Sequence, residues 1–284
     1  MDLAYRLLNV FSIEEKPFSG NPLCVFEDAV GLEDAQMQAW ARQFNLSETT
    51  FITDRRLEVG EADIRIFTGS YEMPFAGHPT LGTAHVVAAL AGGIDAVTLS
   101  MPAGAIPVRR VDEGWELRAN PATSRPSGAT DAEIAEVLGV RPQAVVAGGA
   151  HHVDAGVEQL LIEVAEPDAV ASCRPDVRGL HEKLSVPGQE PQVYLWAWTG
   201  ESSIVARFFG ASGSALEEDP ATGSAATNLG GLLGLNGVRG RRLTIVQGSH
   251  IARPSRLVVT IDDDGVVFVA GKVTEVGNGS VHAA

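Results

Sequence analysis

The sequence contains two cysteines, Cys24 and Cys173, among its 284 residues. Two cysteines cannot form a disulfide framework, which favours a reducing compartment and a fold held by its apolar core. Apolar residues make up 45% of the chain and charged residues 20%, as is typical of a globular protein. A chain of this length can bury about three quarters of its unfolded surface, so a sizeable core is available.

The sequence also has no long apolar run and few basic residues. Its longest apolar stretch, residues 86–91 with the two glycines that follow, is far shorter than the ~20 residues that span a bilayer, and the N-terminus with its early Asp2 does not resemble a signal peptide. Lys plus Arg number 21 against 36 Asp plus Glu, which gives a net charge of −15. Such a surface repels nucleic-acid phosphates and anionic lipid. We therefore expect a cytoplasmic protein that binds neither nucleic acid nor membrane.

Several common catalytic motifs are absent as well. The chain has no Gly-x-x-x-x-Gly-Lys-Ser/Thr loop, no Gly-x-Gly-x-x-Gly and no Gly-x-Ser-x-Gly. His151 and His152 are adjacent and lack partners at metal-ligand spacing, so a solvated or loop pair is a better interpretation than a zinc site. The sequence therefore predicts no metal and no cofactor.

Two segments predict helices that are buried on all sides. Residues 79–91 and 222–235 contain no Asp, Glu, Lys or Arg, so neither has a charged face. Both are rich in Gly and Ala, which indicates close packing by neighbouring elements. Gly77 and Gly223 lie 146 positions apart near the two helix starts, and the same offset relates the strands that follow. This constant offset predicts two topologically similar α/β halves.

Other patterns predict the surrounding elements. Alternating apolar residues predict several short strands, and helical spacing predicts helices at Leu32–Phe44 and Asp131–Leu138, the second with a capping box of Thr130 and Glu133. Residues 119–129 are rich in Pro, Ser and Gly and predict a linker. We therefore expect an N-terminal half at 1–118 and a C-terminal half at 119–271, with residues 272–284 returning to the first.

The two predicted helix starts are suited to binding an anion. A helix start presents unpaired N–H groups and a positive dipole end, and glycines such as Gly77 and Gly223 let a ligand touch the backbone. One such glycine would indicate only a tight turn, but two in a repeat favour a site. If the halves face each other, both starts converge on one cleft that would hold a carboxylate.

Polar residues lie close to these positions in the sequence. His78 and Asp219 flank the helix starts, and Ser224 lies inside the second helix. Glu48 precedes an apolar strand. It is either a solvated turn or cap residue, or a general base whose pKa is raised by desolvation in the cleft. Residue types alone leave both interpretations open.

Six motifs follow one another along the chain. They are Phe-Ser-Gly-Asn-Pro at 18–22, Asn-Leu-Ser-Glu-Thr at 45–49, Pro-Phe-Ala-Gly-His-Pro-Thr-Leu-Gly at 74–82, Glu-Asp-Pro-Ala-Thr-Gly-Ser-Ala at 218–225, Gln-Gly at 247–248 and Arg-Pro-Ser at 253–255. Together they resemble the PhzF family of phenazine-biosynthesis isomerases over nearly the whole chain, with Gly69 in place of an expected Pro. The resemblance implies a diaminopimelate epimerase-like fold, in which each of two similar domains wraps a curved sheet around a central buried helix and the active site lies between them.

The resemblance also implies roles for individual residues. Glu48 would be the catalytic carboxylate that carries a proton between two carbons on one face of the substrate. The residues that would orient or protonate the substrate are His78, Asp219 and Ser224. The residues that would bind it are Gly77 and Gly223, through their backbone donors, together with Thr222, Ser47 and Asn21.

Two alternatives remain beside a cofactor-independent isomerase of a small carboxylated metabolite. A two-base epimerase of the wider superfamily would have a cysteine at each central helix start, where this chain has Ala76 and Pro220-Ala221. Cys24 and Cys173 lie elsewhere and are interpreted as structural. A non-catalytic small-anion-binding protein would use the same scaffold. We also expect a homodimer, because closed two-fold assemblies are common among enzymes.

Overall fold

A computed structural model describes residues 2–14, 16–186 and 188–282 of the chain. The chain divides into two compact units. Unit 1 comprises residues 1–118 and 270–284, and unit 2 comprises residues 119–269. Each unit contains both strands and helices, so the fold is mixed α/β.

The elements of each unit follow in chain order. In unit 1 they are β1 (Asp2–Val10), β2 (Asn21–Phe26), α1 (Asp34–Phe44), β3 (Glu48–Arg56), a 3-10 turn (Leu57–Val59), β4 (Glu61–Phe67), β5 (Glu72–Met73), α2 (Gly77–Leu90), β6 (Ala96–Met101), β7 (Gly104–Val111) and β8 (Gly114–Arg118). In unit 2 they begin with β9 (Thr123–Pro126), α3 (Asp131–Leu138), a 3-10 turn (Pro142–Ala144), β10 (Val145–Asp154), β11 (Glu158–Val164), α4 (Pro167–Ser172), α5 (Val177–Gly179) and a π turn (Leu180–Leu184). They continue with β12 (Gln192–Gly200), β13 (Ser203–Ser212), β14 (Ala215–Asp219), α6 (Gly223–Leu235), β15 (Arg241–Gln247), a 3-10 turn (Ser249–Ile251), β16 (Ser255–Ile261) and β17 (Val267–Gly271), in which the boundary falls. The last strand, β18 (Val273–His282), belongs to unit 1.

The two units repeat one strand topology. In unit 1, β18, β1 and β2 pair antiparallel, β2 and β3 parallel, β3 and β4 antiparallel, β4 and β6 parallel, and β6, β7 and β8 antiparallel. In unit 2, β9, β10 and β11 pair antiparallel, β11 and β12 parallel, β12 and β13 antiparallel, β13 and β15 parallel, and β15 and β16 antiparallel. A short strand pairs with the end of β4 or β13 just before the central helix. This repeat explains the offset of 146 seen in the sequence.

Each unit is built around one buried helix. In unit 1, α2 contacts β1, β2, β3, β4, β6, β7, β8 and β18, so the sheet curves around it. In unit 2, α6 contacts β9, β10, β11 and β16. Neither helix carries an acidic or basic residue in its first or last turn, as burial on all sides requires. These features confirm the predicted fold class of two similar α/β domains with central buried helices.

The helix bounds differ slightly from those predicted. The first central helix begins at Gly77, two residues before the predicted start at Pro79, and the second begins at Gly223, one residue after Thr222. Pro79 is the third helical residue, where the absence of an N–H costs no intrahelical hydrogen bond. The predicted capping box of α3 is present, since Thr130 Oγ1 accepts from Glu133 N at 3.3 Å and Glu133 Oε2 accepts from Thr130 N at 2.9 Å.

Two expectations about unit 2 were wrong. The predicted linker 119–129 contains β9, an edge strand that pairs with β10 and tolerates Pro126 because edge strands leave some N–H positions unpaired. The histidine pair also lies in β10 rather than in a loop. His152 is 5% exposed, and its burial lowers its pKa. Strand alternation buries one ring of the pair and leaves His151 partly exposed.

The glycines of α6 allow close packing, and substitution tests this. A Cβ on Gly231 would lie 2.4 Å from the Ala122 Cβ, a methyl group that cannot rotate away. We expect Gly231→Ala to lower the free energy of unfolding by about 1–3 kcal/mol, partly offset by the better helix propensity of Ala. The matched control is Gly234→Ala in the same helix, where the nearest atom would be 3.7 Å away and only the propensity gain applies. Urea unfolding measures both, and equal effects would contradict close packing at Gly231.

Candidate functional site

In unit 1, Glu48 lies at the end of a strand beside another predicted site residue. The chain leaves α1 through Asn45, which has a left-handed φ of 52°, and enters β3 at Glu48. Because β3 pairs in parallel with β2 and Leu23 is opposite Glu48, Asn21 at the start of β2 lies at the same end of the sheet. Asn21 is buried, Glu48 is half-buried and Ser47 is exposed.

The structure brings Glu48 and His78 together. His78 is the second residue of α2, and its Nδ1 lies 3.5 Å from Glu48 Oε2. Burial lowers the pKa of His78 to about 3, while a backbone hydrogen bond at Pro22 acts in the opposite direction. The ring is therefore neutral at neutral pH, and its buried Nε2 has no hydrogen-bond partner among the described residues. Glu48 thus contacts a neutral imidazole rather than a cation.

Neither central helix is capped by a side chain at its N-terminus. The residue before α2 is Ala76, which has no polar side chain, and the residue before α6 is Thr222, whose side chain makes no capping hydrogen bond. The first N–H groups of each helix, including those of Gly77 and Gly223, have no partner within the helix. Each helix start therefore presents backbone donors and a positive dipole end to an anion.

In unit 2, Thr222 is bound to Asp219 instead of to the helix. Thr222 Oγ1 donates to Asp219 Oδ2 at 2.5 Å and accepts from Gln247 Nε2 at 2.9 Å. Gln247 Nε2 also donates to the Asp219 carbonyl at 2.8 Å, and Gln247 Oε1 accepts from Thr222 N at 3.3 Å. These contacts orient the Asp219 carboxylate immediately before the start of α6.

Gln247 is hydrogen-bonded to two of the predicted site residues, although sequence reasoning assigned it no role. It is 1% exposed and ends β15, and the following Gly248 has φ 76° and lies against the Pro220 carbonyl, where a Cβ would be only 2.5 Å from the oxygen. The available signal was the Gln-Gly pair at the end of the strand that follows the second helix. Its meaning depends on a contact 25 residues away in sequence, between Gln247 and Thr222.

Ser224 occupies the position in α6 that His78 occupies in α2, since each is the second residue of its helix. Its half-buried hydroxyl accepts a hydrogen bond from Gln159 Nε2 at 2.9 Å. Gln159, on β11, is 2% exposed and was not predicted to take part in the site. Only its alternation with the apolar residues of that strand could have indicated which way its side chain faces.

A buried tyrosine lies near Asp219. Tyr194 on β12 pairs across the sheet with Phe208, and Phe208 pairs with Asp219, so the three side chains share one face. Its hydroxyl is buried without a hydrogen-bond partner among the described residues. Burial and the Asp219 charge both raise the pKa of Tyr194, so the phenol stays protonated.

Equivalent Arg–Glu pairs show which residues of the two units occupy corresponding positions. Arg65 on β4 donates to Glu72 at 2.7 and 2.5 Å, and Arg207 on β13 donates to Glu218 at 3.0 and 2.7 Å, each across the short hairpin before the central helix. Two residues after each arginine is a Phe, whose partner on the neighbouring strand is Thr49 in unit 1 and Val193 in unit 2.

The residues just before these partners are Glu48 in unit 1 and Gln192 in unit 2. Gln192 Oε1 accepts from Gln159 Nε2 at 3.1 Å, so its side chain faces the start of α6 as Glu48 faces the start of α2. Where unit 1 has a carboxylate, unit 2 therefore has an amide that cannot take up a proton at neutral pH.

The two cysteines lie apart from the helix starts. Cys24 packs with Phe26 and Met37 in the core beneath α1, and Cys173 lies in the core of unit 2. Both are free thiols. Burial raises both pKa values, that of Cys173 to about 12, so neither is a thiolate at neutral pH.

No group of three or more His, Cys, Asp or Glu in the described ranges is placed to hold a metal ion. None of the helices within these ranges is long and apolar enough to cross a membrane.

A cavity of about 520 Å³ in unit 2 is lined by Trp198, Gly200 and Arg241 among others. It lies at the far end of β12 from Gln192, so it is separate from the polar residues at the start of α6.

Comparison with known proteins identifies the relatives of this chain. The family model for phenazine biosynthesis-like proteins, PhzC-PhzF, matches residues 8–279. An uncharacterized isomerase from Pasteurella multocida is 36% identical over 98% of this chain and 93% of its own length. A trans-2,3-dihydro-3-hydroxyanthranilate isomerase from Pseudomonas aeruginosa is 33% identical over 98% of this chain and 97% of its own. The crystal structure of a PhzF-family phenazine biosynthesis protein from Bacillus anthracis shares the fold, with a TM-score of 0.84 at 22% identity and complete coverage of both chains.

The repeated fold and these relatives define an enzyme of the isomerase class. Within that class, the chain belongs to the phenazine biosynthesis-like family, PhzC-PhzF. The family resemblance, the fold class and the isomerase class predicted from the sequence are thereby confirmed.

Burial of neutral His78 makes stability depend on pH. Its pKa is about 3 in the folded chain against 6.5 for an unperturbed histidine, so between these values the unfolded chain binds a proton that the folded chain does not. The contribution of neutral His78 to the free energy of unfolding is complete above pH 6.5. As pH falls towards 3 this free energy decreases by up to about 1.4 kcal/mol per pH unit. We expect His78→Asn to flatten this part of the profile of unfolding free energy, measured by urea unfolding. The exposed His250→Asn is the control, and an unchanged slope in His78→Asn would contradict the assignment.

Proposed function

We propose that this chain isomerises a small carboxylated metabolite by moving one proton between two of its carbons, with Glu48 as the general base. The observation that carries the proposal is the contact between Glu48 Oε2 and Nδ1 of buried, neutral His78. At 3.5 Å the contact between the two side chains is longer than a hydrogen bond, and a neutral ring neither pairs with the carboxylate as a cation nor protonates it. Glu48 therefore keeps the lone pairs that a base needs.

The proposed step requires no external reactant. The Glu48 carboxylate removes a proton from one carbon, and the C–H electron pair shifts into the adjacent double-bond system. The carboxyl group then returns the proton to the carbon at the far end of that system, and the displaced double-bond electrons form the new C–H bond. Substrate and product have the same composition, and Glu48 ends as it began.

The correspondence between the units favours one base over two. A two-base epimerase needs a second proton acceptor, and the position equivalent to Glu48 holds Gln192. The only thiols, Cys24 and Cys173, are buried and protonated, and neither lies at the start of a central helix. These residues support a single carboxylate that serves both carbons.

The remaining predicted residues supply binding groups in this proposal. The N–H groups at Gly77 and Gly223 would hold the substrate carboxylate, because each lies at an uncapped helix start. Asp219, oriented by Thr222 and Gln247, would accept hydrogen bonds from an amino or hydroxyl group. Ser47 and Asn21 lie at the same strand ends as Glu48 and would line its side of the substrate. That both helix starts meet at one cleft stays a prediction, as do the homodimer and the cytoplasmic location.

The compound that best suits these groups is trans-2,3-dihydro-3-hydroxyanthranilate, which the name of the Pseudomonas aeruginosa relative gives as its substrate. It carries a carboxylate, an amino group and a hydroxyl group on a ring with double bonds, so it contains both the anion and the mobile proton that the proposal needs. We propose it as the first compound to test and as a representative of the substrate class.

Glu48→Gln tests the proposed base. The substitution keeps the side-chain shape and removes the proton acceptor, so we expect kcat for trans-2,3-dihydro-3-hydroxyanthranilate to fall by at least ~10²-fold while KM changes little. Deuterium incorporation from D₂O into product, followed by mass spectrometry, should fall in parallel. The double variant with Cys24→Ser and Cys173→Ser is the control and should keep its activity.

Other results would reject the proposal in different ways. Activity retained in Glu48→Gln but lost in the double cysteine variant would indicate a thiol mechanism. A wild-type chain that binds the compound, as a rise in melting temperature shows, but catalyses no proton exchange would favour the non-catalytic binding protein.

A further inference from the structure

We infer that Gln159 and Asn228 are positioning residues that keep the Ser224 hydroxyl turned outward as a hydrogen-bond donor to the substrate. This inference rests on the proposed function and on the role that the family resemblance implies for Ser224, which is to orient or protonate the substrate. It follows from a buried chain of hydrogen bonds within unit 2, in which each group fixes the direction of the next.

The hydrogen-bond chain begins at two backbone groups whose donor and acceptor roles cannot reverse. The Ala155 N–H donates to Asn228 Oδ1 at 2.9 Å, and the Val157 carbonyl accepts from Asn228 Nδ2 at 2.9 Å. A backbone N–H can only donate and a carbonyl can only accept, so the two together fix the orientation of the Asn228 amide. Asn228 lies in α6 and is 1% exposed, so water does not compete for these bonds.

The Asn228 amide in turn fixes the amide of Gln159. The second Nδ2 hydrogen of Asn228 points to Gln159 at 3.0 Å, so the atom it meets must be the acceptor Oε1. Gln159 Nε2 is then directed the other way, where its two hydrogens reach Ser224 Oγ at 2.9 Å and Gln192 Oε1 at 3.1 Å. Both Gln159 hydrogens are used, and the reverse orientation would place donor against donor at Asn228.

The direction of these hydrogen bonds determines whether the Ser224 hydroxyl donates to a ligand or accepts from it. A serine hydroxyl has one hydrogen, and Ser224 Oγ already accepts from Gln159. The hydroxyl makes no other hydrogen bond with the residues that the structure describes, and it is half-buried at the start of α6. Its hydrogen is therefore directed to a ligand. Ser224 selects an acceptor, such as a carboxylate or hydroxyl oxygen, whereas the carboxylate of Asp219 selects a donor.

Gln159→Glu reverses the direction of the hydrogen bond to Ser224 while keeping the shape of the side chain. An ionised carboxylate accepts from Asn228 but cannot donate to Ser224, so the serine proton turns inward and is lost to the substrate. When protonated, the introduced carboxyl group can donate again. Because burial raises the pKa of a carboxyl group, this rescue should fall within a pH range that the enzyme tolerates. We expect kcat/KM for trans-2,3-dihydro-3-hydroxyanthranilate to fall by about 10²-fold at pH 8 and to recover, relative to wild type, as pH is lowered.

Three variants separate positioning from a structural role. Gln143→Glu adds a carboxyl group at an exposed site in the same unit and should keep the wild-type profile. Gln159→Met has nearly the same shape but neither donor nor acceptor, so its loss should not depend on pH. Adding Gln159→Glu to Ser224→Ala should cause no further loss and no low-pH recovery. A Gln159→Glu profile parallel to that of wild type, or a full additional loss in the Ser224→Ala background, would overturn the inference.

Nuclear magnetic resonance tests the same hydrogen bonds without any substrate. The side-chain amide protons of Gln159 should exchange slowly with water, and Ser224→Ala should shift one of them strongly. The exposed amide of Gln189 is the internal control and should not respond. Unprotected or unresponsive Gln159 protons would overturn the inference even if Gln159→Glu failed to fold. A wild-type chain inactive on the compound would count against the proposed function alone, because the amide resonances would still decide the inference.

Discussion

A helix buried inside a curved sheet constrains the rest of this structure. Burial on all sides excludes charged residues from α2 and α6, and close packing requires glycines such as Gly231. The backbone N–H groups at each helix start cannot be satisfied within the helix. Neither Ala76 nor Thr222 caps them. The fold therefore creates two positions that favour an anion, and the polar residues of both units are arranged around them.

Local patterns were sufficient to predict the framework. The absence of charge in two Gly- and Ala-rich segments indicated buried helices, and Thr130 with Glu133 indicated the start of α3, because both signals depend on residues close in sequence. The β9 strand was missed, because Pro, Ser and Gly in residues 119–129 are typical of a linker. Its strand conformation comes from pairing with β10, which no local pattern encodes.

The site was predictable only in part. Sequence reasoning named Glu48 and His78, and the structure places them 3.5 Å apart. It assigned no role to Gln159, Asn228 or Gln247, although all three are buried and belong to the hydrogen bonds around the second helix start. An amide in a strand or helix carries no local signal of its partner. Contacts across 65, 69 and 25 residues of sequence assemble these bonds, so only the folded chain reveals them.

The pairing of β1 with β18 has a consequence for how the chain folds during synthesis. Asp2 lies opposite His282, so the first strand of unit 1 gains one of its neighbours only after all of unit 2 has been made. Unit 2, by contrast, is continuous in sequence. Contacts between distant residues form slowly, and domains generally fold as units as they leave the ribosome. Unit 2 can therefore complete its sheet on one uninterrupted stretch of chain, whereas β1 keeps an exposed edge, which is a site for aggregation, until β18 has been made.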